Sequence, residues 1–448
     1  MLIDIFSTPK KNFSTEYTGW FNELLEHYGD PHPKRQLRID AFNDLVEGDS
    51  FTGNIGDRVF MRKCRVKVKT DENAKFLKFI RLIGDLGVGA SLQGFRLTKF
   101  LKAAMSKEDF FHDFPEGRAR FIFCASPRIS ELTRIFRLSQ DMEEKYLFVV
   151  FSDDALYIRK DAEGEPQAFN VDIKTCDLSH TDEMFQFMKH ATPEQWHDDV
   201  QILIEQLSRP VTIANPDNKR EKVTLKVKGG GAHLYSGSTL TTYINNIGSF
   251  VHGSSICMND AKSVKEIQDA TERAGYQVTV EECESIEDIQ FLKHSPAITT
   301  RGEIVATFNC GAFLRAFGVC KNELPGRGPY KHRANLFNLS LLNGMFPRLI
   351  VPFIEKLKTK FTKNLEGNEL STKTQDAIQQ YMHTTTDLEY KTINELDDHN
   401  VHLTNEQYLA RYRLTISEIH KFTEDLERCD LGWQLDNHAT RTILSRDY

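Results

Sequence analysis

Apolar and polar positions repeat along this chain with two periods, and the switch between them marks out its elements. A period near 3.6, the mark of a helix with one buried face, runs through 14–28, where Trp20, Leu24, Leu25 and Tyr28 share a side and Gly29 stops the run. The same period predicts a second helix over about 36–46. Basic and apolar residues then alternate in Arg58-Val-Phe-Met-Arg-Lys-Cys-Arg-Val-Lys-Val-Lys69, which predicts a strand with one cationic face. A bend at Gly84, Gly87 and Gly89 leads to a helix over 92–105, 121–124 reads as a strand, and Ser126-Pro127 opens a further helix, Ser as N-cap and Pro in the first turn.

Leu147-Phe-Val-Val-Phe-Ser-Asp-Asp-Ala-Leu-Tyr-Ile158 holds two short apolar runs with Asp153 and Asp154 between them, predicting two buried strands joined by a tight turn with carboxylates at its tip. After the turn-rich 161–166 comes Ala168-Phe-Asn-Val-Asp-Ile-Lys-Thr-Cys-Asp177, read as a strand that delivers Asp172 and then Asp177. A hairpin of this order would set Asp172 beside Asp153. Helices follow over 181–190 and from a capping-box spacing at Thr192-Pro-Glu-Gln195, the latter burying Trp196, Val200, Leu203 and Leu207. A hairpin over 211–213 and 223–227 turns at Asn215-Pro-Asp-Asn218.

The glycine-rich loop Gly229-Gly-Gly and Ser236-Gly237 opens a helix that carries Thr241 and Asn245, four apart, on one face. Beyond it the pattern predicts a helix over 261–274 stopped by Gly275, strands over 276–280 and 289–293, and a Gly/Pro linker at 321–329. Helices are expected near 336–343, 352–361, 372–382 and 404–426, the last with a capping box at Thr404-Asn-Glu-Gln407.

Composition narrows the field. At 448 residues, 40% hydrophobic and 27% charged, the chain has the length and balance for two or three globular lobes. No stretch approaches the roughly 20 apolar residues of a membrane span. The N-terminus carries an early Asp and no long apolar core, so no signal peptide is expected. Eight cysteines without a Cys-x-x-Cys pair fit reduced thiols in an intracellular protein, with no structural zinc. The net charge of −7 argues against non-specific coating of nucleic acid, yet residues 57–81 hold nine Lys or Arg against three Asp or Glu, a local basic field. Adjacent carboxylates at the end of apolar strands are costly unless cations compensate them, and a pair of divalent metal ions would do so.

Together these stretches resemble the palm motifs of viral RNA-dependent RNA polymerases. Ser236-Gly-x-x-x-Thr241-x-x-x-Asn245 matches motif B, Asp172-x-x-x-x-Asp177 matches motif A, and Ser152-Asp-Asp154 looks like motif C. The basic segment up to Arg81-Leu-Ile resembles motif F, 261–280 looks like motif D, and Phe291-Leu-Lys-His294 looks like motif E. The motif C-like turn precedes motif A, an order C-A-B that is similar to the permuted polymerases of birnaviruses and permutotetraviruses. Ser-Asp-Asp differs from the Ala-Asp-Asn typical of birnaviruses.

The resemblance implies an α+β, right-hand polymerase: fingers, a palm built on an antiparallel RRM-like sheet, and a helical thumb. Placed on this chain, the fingers would take 1–144, the palm 145–300 with a finger insertion around 186–228, the palm–thumb junction 301–334, and the thumb 335–448. It also implies templated RNA synthesis from ribonucleoside triphosphates with Mg²⁺, or Mn²⁺ in its place. Asp153 and Asp172 would bridge two metal ions with Asp154 as auxiliary ligand. Asp177 and Asn245 would read the ribose 2′-hydroxyl, Ser236, Gly237 and Thr241 would support them, and Lys67, Lys69, Lys78 and Arg81 would meet triphosphate and template. The stretch after Gly275 lacks the motif D lysine that protonates pyrophosphate in many relatives, leaving that proton to a histidine or water. The expected partners are RNA template, nascent RNA and nucleotides, and the expected location is the host cytoplasm or the virion. A catalytically inactive palm that binds RNA and a reverse transcriptase are the competing readings.

Overall fold

The computed structural model describes residues 21–22, 33–47, 64–68, 82–105, 109–124, 127, 129–209, 211–214, 222–225, 231–299, 301–311, 407–428 and 437–447. In chain order the elements are α1 (Pro33–Glu47), β1 (Cys64–Val68), β2 (Leu82–Asp85), α2 (Val88–Met105), β3 (Phe110–Phe114), β4 (Gly117–Phe123), α3 (Ile129–Leu138), β5 (Tyr146–Phe151), β6 (Asp154–Lys160) and β7 (Pro166–Ile173). They continue with α4 (Cys176–Ser179), α5 (Asp182–Ala191), α6 (His197–Leu207), β8 (Val211–Ala214), β9 (Lys222–Leu225), α7 (Thr241–Met258), α8 (Val264–Arg273) and β10 (Val278–Cys283). Last come β11 (His294–Ile298), β12 (Ile304–Phe308), α9 (Ile416–Arg428) and α10 (His438–Arg446). The fold is α+β, and among the described residues no helix is long and apolar enough to cross a membrane.

A six-stranded sheet in the order β10-β7-β6-β5-β4-β3 organises the molecule, antiparallel throughout except where β4 runs parallel to β5. Both faces are covered, which is why β5 reads as an unbroken apolar run, Tyr-Leu-Phe-Val-Val-Phe. Alternate residues go to opposite sides. Phe121, Phe148, Val150, Tyr157, Phe169 and Val171 pack against helices α2, α6, α7 and α8. Ile122, Leu147, Val149, Leu156 and Ile158 pack against Leu132, Ile135 and Phe136 of α3 and against Ile289 and Phe291. Gly253 of α7 lies so close to Phe148 that a Cβ there would come within 2.5 Å of the ring, so the helix seats directly on the central strand.

A second sheet, in the order β2-β1-β8-β9, joins the basic stretch to the predicted 211–227 hairpin, with β1 parallel to β8. Residues 407–428 and 437–447 meet at the short helical turn that follows β10. Arg411, 2% exposed, pairs with Asp447 at 2.8 Å and donates to the carbonyls of Glu287 and Asp288.

Several expectations shift by a definable amount. The α2 helix starts at Val88, with Gly89 inside it and the bend made by Gly87 at φ +87°. Strand β7 ends at Ile173, and Thr175 in the left-handed region (φ 50°) turns the chain into α4, so Asp177 sits on a helical turn and not on the strand. The capping box at Thr192 does not form. Its hydroxyl donates back to the Met188 carbonyl, and a 3-10 turn precedes α6, whose predicted apolar residues are all buried. Helix α8 starts at Val264, capped by Ser263. The predicted strand over 289–293 is instead a turn with Leu292 and Lys293 at positive φ, and Ile289 and Phe291 are buried because they pack on the sheet face. The 404–426 helix is a π-helical turn at Gln407–Arg411 followed by α9, which has its own capping pair, Thr415 and Glu418. The predicted linker and the three helices before 404 lie outside the described residues, as do Ser126, the turn at 215–218 and most of 14–28.

Candidate active site

Strands β5 and β6 are joined by the two-residue turn Ser152-Asp153, Phe151 pairing with Asp154. Ser152 takes φ 57°, the hand that matches the strand twist in a two-residue hairpin and one that a residue with a Cβ adopts at a cost. Three side chains of α7 hold it there. The Ser152 backbone N–H donates to Asn246 Oδ1 at 2.6 Å, Ser249 Oγ donates to the Ser152 carbonyl at 2.7 Å, and Asn245 Nδ2 donates to Ser152 Oγ at 3.0 Å. Every polar group of the turn residue is therefore engaged by one helix. Asn246 and Ser249 went unremarked in the sequence, because nothing local signals a hydrogen bond across 94 or 97 residues.

Register decides which carboxylates meet. β7 lies antiparallel beside β6 with Asp154 opposite Asp172, and the Ile173 N–H donates to the Asp153 carbonyl at 3.3 Å. Opposed residues of an antiparallel pair share a face, so Asp154 and Asp172 project together. The hairpin was expected to set Asp153 beside Asp172; the register puts Asp154 there and Asp153 one position further, in the turn. Asp172 is exposed and both hairpin aspartates are half-buried.

A second cluster forms next to the tip. Asp177 Oδ2 accepts from the Ser236 hydroxyl, and Asp177 Oδ1 accepts from Asn245 Nδ2 at 2.9 Å. Asn245 so bridges Asp177 and the Ser152 turn. Thr241 turns back on its own loop, its hydroxyl donating to the Tyr235 carbonyl at 2.9 Å. Gly237, at φ +105°, occupies the left-handed region that favours glycine. The Gly84 N–H donates to the Ser236 carbonyl at 2.7 Å, tying β2 to this loop. Behind Asn245 stands His180, 4% exposed, its Nε2 at 2.8 Å from Asn245 Oδ1 and its Nδ1 at 3.2 Å from the Tyr276 hydroxyl. Burial holds the His180 pKa below the usual imidazole value, partly offset by Asn245 and the Asp177 charge. His180 and Tyr276 were also missed, although His180 falls one helical turn after Asp177.

Of the basic residues, Lys67 lies on β1, and Lys69, Lys78 and Arg81 fall outside the described residues.

The donor chemistry at Asp153, Asp154 and Asp172 fits a hard divalent cation, which takes oxygen ligands. Among the described residues no three His, Cys, Asp or Glu side chains converge as a ready-made metal cage. Mg²⁺ in phosphate chemistry is commonly held by one or two carboxylates together with substrate phosphates, and the Asp154–Asp172 face suits that mode.

No protein-family model matches the chain, and no curated protein matches it. Solved structures do. The chain is similar in structure to a chain of the birnavirus VP1–VP3 complex, at 12% identity and a TM-score of 0.44, covering 91% of this chain and 55% of that one. It is likewise similar to the RNA polymerase VP1 from Infectious Pancreatic Necrosis Virus, at 12% identity and a TM-score of 0.44, covering 92% of this chain and 58% of that one. The chain thus spans little more than half the length of these structures.

Proposed function

We propose that this chain is an RNA-directed RNA polymerase with a permuted palm, extending RNA by two-metal nucleotidyl transfer from ribonucleoside triphosphates. The observation that carries the reading is the strand register that sets Asp154 opposite Asp172 on one open face, beside the Asp177–Asn245–Ser236 cluster. The hairpin from β6 to β7 brings together, in the order C then A, the residues that other polymerases join in the order A then C.

Each group has a task that follows from its surroundings. Asp153, Asp154 and Asp172 would hold Mg²⁺ or Mn²⁺, which when bound supplies a stabilised attacking oxygen and neutralises the leaving pyrophosphate. The grip of α7 on Ser152 keeps the tip from shifting, so the carboxylates need little reorganisation as substrate arrives. Asp177, oriented by donors from Asn245 and Ser236, would present an acceptor where a ribose hydroxyl binds. Deoxyribose would leave that half-buried carboxylate without its donor, and that mismatch would disfavour it. The Gly237 loop, flanked by Ser236, adjusts as the template advances. The basic stretch that carries Lys67, Lys69, Lys78 and Arg81 would meet triphosphate and template, so RNA binding should weaken with salt despite the net charge of −7.

The test is RNA-templated incorporation of labelled ribonucleotides by the purified chain, beside Asp153→Ala and Asp172→Ala. RNA made by the unaltered chain and lost in both folded variants supports the reading. RNA binding without synthesis in Mg²⁺ or Mn²⁺, with and without primer, favours an RNA-binding palm instead. Normal synthesis by both variants refutes the metal assignment.

A further inference from the structure

We infer that His180 and Tyr276 are positioning residues for ribose selection, holding the Asn245 side chain with its amide N–H groups turned toward Asp177 and its carbonyl turned away. The inference rests on the polymerase reading and deepens it, since it concerns how the same site tells ribose from deoxyribose.

The argument runs along one chain of hydrogen bonds whose directions are forced by chemistry. An ionised carboxylate only accepts. Asp177 therefore requires donors from Ser236 and from Asn245, and the Asn245 nitrogen lies 2.9 Å from Asp177 Oδ1. The same nitrogen donates to Ser152 Oγ at 3.0 Å, so both amide hydrogens are used. Asn245 Oδ1 must then face the other way, and an amide carbonyl can only accept. His180 Nε2, 2.8 Å from it, must carry a proton. With the ring neutral, Nδ1 has a lone pair and takes the proton of the Tyr276 hydroxyl at 3.2 Å. Each donor meets an acceptor only if His180 is neutral with its hydrogen on Nε2. Burial favours that neutral form by lowering the His180 pKa.

A second observation, independent of the hydrogen bonds, points to the same pair. Gly248 sits in the interior of α7, three residues beyond Asn245, where glycine is a poor helix former. A Cβ there would come within 2.7 Å of His180 Cε1 and 2.9 Å of the Tyr276 hydroxyl. The helix gives up a side chain at the spot where these two rings approach it. The three residues converge from separate elements: His180 just after α4, Gly248 on α7, and Tyr276 between α8 and β10.

Asn245 is 2% exposed, so without His180 its carbonyl would be buried without a donor and its side chain would move to find one. Asp177 would lose the partner that shapes its contact with a 2′-hydroxyl. Discrimination suffers while the metal-facing carboxylates stay in place.

The experiment measures kcat/KM on an RNA template for a ribonucleoside triphosphate and for the 2′-deoxy form of the same base, using the full chain. Thermal melts check that each variant folds. His180→Leu is expected to lower the ribo-to-deoxy ratio roughly tenfold, the scale of a buried acceptor losing its donor. His180→Gln, which can place an amide N–H near the position of Nε2, should recover most of that ratio, whereas a merely structural role would not distinguish Gln from Leu. Tyr276→Phe removes only one hydroxyl and should lower the ratio about threefold, and it decides the matter if His180→Leu fails to fold. A folded His180→Leu or Tyr276→Phe with the ratio unchanged, or with both substrates impaired equally, overturns the inference and leaves the polymerase reading standing. No ribonucleotide incorporation by the unaltered chain overturns both.

Discussion

The β5–β6 hairpin is fastened to helix α7 at both of its ends, and the two fastenings are built in opposite ways. At the far end, Asp260 lies two residues beyond the last residue of α7, in the left-handed region at φ 46°. It closes the helix in a Schellman arrangement, with its own N–H on the Cys257 carbonyl and the Ala261 N–H on the Ile256 carbonyl. Its carboxylate accepts from the Tyr146 hydroxyl at 2.7 Å and pairs with Arg159 at 3.0 Å and Lys145 at 3.1 Å. Burial raises the Asp260 pKa, but these hydrogen bonds and the Arg159 charge outweigh it and hold it below its ordinary value. One carboxylate meets two cations and a hydroxyl.

At the tip the proportions reverse. Asp153 and Asp154 lie at the turn with Asp172 opposite Asp154 on β7, and the fastening to α7 is made by neutral groups, Asn245, Asn246 and Ser249. The strained residue is again a positive-φ position, Ser152. The hydrogen bonds that hold this turn come from neutral groups, whereas those at the far end meet at one charged carboxylate. The far end is arranged for stability. The tip carries the carboxylates proposed above to hold metal, and the same helix serves both ends.

That contrast can be broken by experiment. The largest effect is expected at the tip: Asp172→Ala should reduce RNA synthesis by about 10²–10³-fold, the scale of removing one electrostatic stabiliser from an active site. Its Tm should change little, because Asp172 is exposed. A Tm drop as large as the loss of activity would show that the tip, too, is a structural site. The converse is expected of Asp260→Asn, which keeps a residue tolerant of positive φ but gives up the charge. Unfolding in urea should show a loss of about 1–2 kcal/mol, low in the range for hydrogen bonds to a charged group because Asp260 is partly exposed. Synthesis at a temperature where the variant is folded should change little. A selective loss of synthesis there would erase the distinction between the two ends.

The smallest effect concerns the helix between them. His252 of α7 is fully buried against Phe148, neither ring nitrogen has a hydrogen-bond partner among the described residues, and burial pushes its pKa down to about 3. The unfolded chain binds that proton near pH 6.5 and the folded chain does not, so stability is lost as pH falls below about 6.5, by up to about 1.4 kcal/mol per pH unit. His180, also lowered by burial, acts in the same direction. The depressed Asp260 pKa gives stability that is lost only as pH falls through the carboxylate range. His252→Leu should therefore lose less Tm between pH 7 and pH 5 than the unaltered chain. Equal losses would place the acid sensitivity elsewhere.

How much of this was legible in the sequence follows from the range of each interaction. The hairpin with acids at its tip, the following strand, the apolar face of α6 and the helix opened by the Ser236-Gly237 loop all follow from local periodicity, which a short stretch carries by itself. The spacing from Asp172 to Asp177 survived even though the chain between them turns at Thr175 and does not continue as a strand. Strand β3 carried no clear alternation, and only its first and last residues are shielded. The segment 289–293 misled because Ile289 and Phe291 are buried by packing on the sheet, not by pairing in it.

By itself the sequence determined where the strands and helices lie around the site and which carboxylates are carried near one another, because periodicity and turn chemistry act over a few residues. Only the tertiary structure decided that Asp154 and not Asp153 stands opposite Asp172, since strand register is settled by which faces are buried once the sheet assembles. It alone decided that Asn246 and Ser249 grip Ser152 and that His180 orients Asn245, contacts that join residues 94, 97 and 65 positions apart. The physical reason is that a hydrogen bond depends on where two atoms come to rest, and across such separations that is set by the packing of α7 on the sheet.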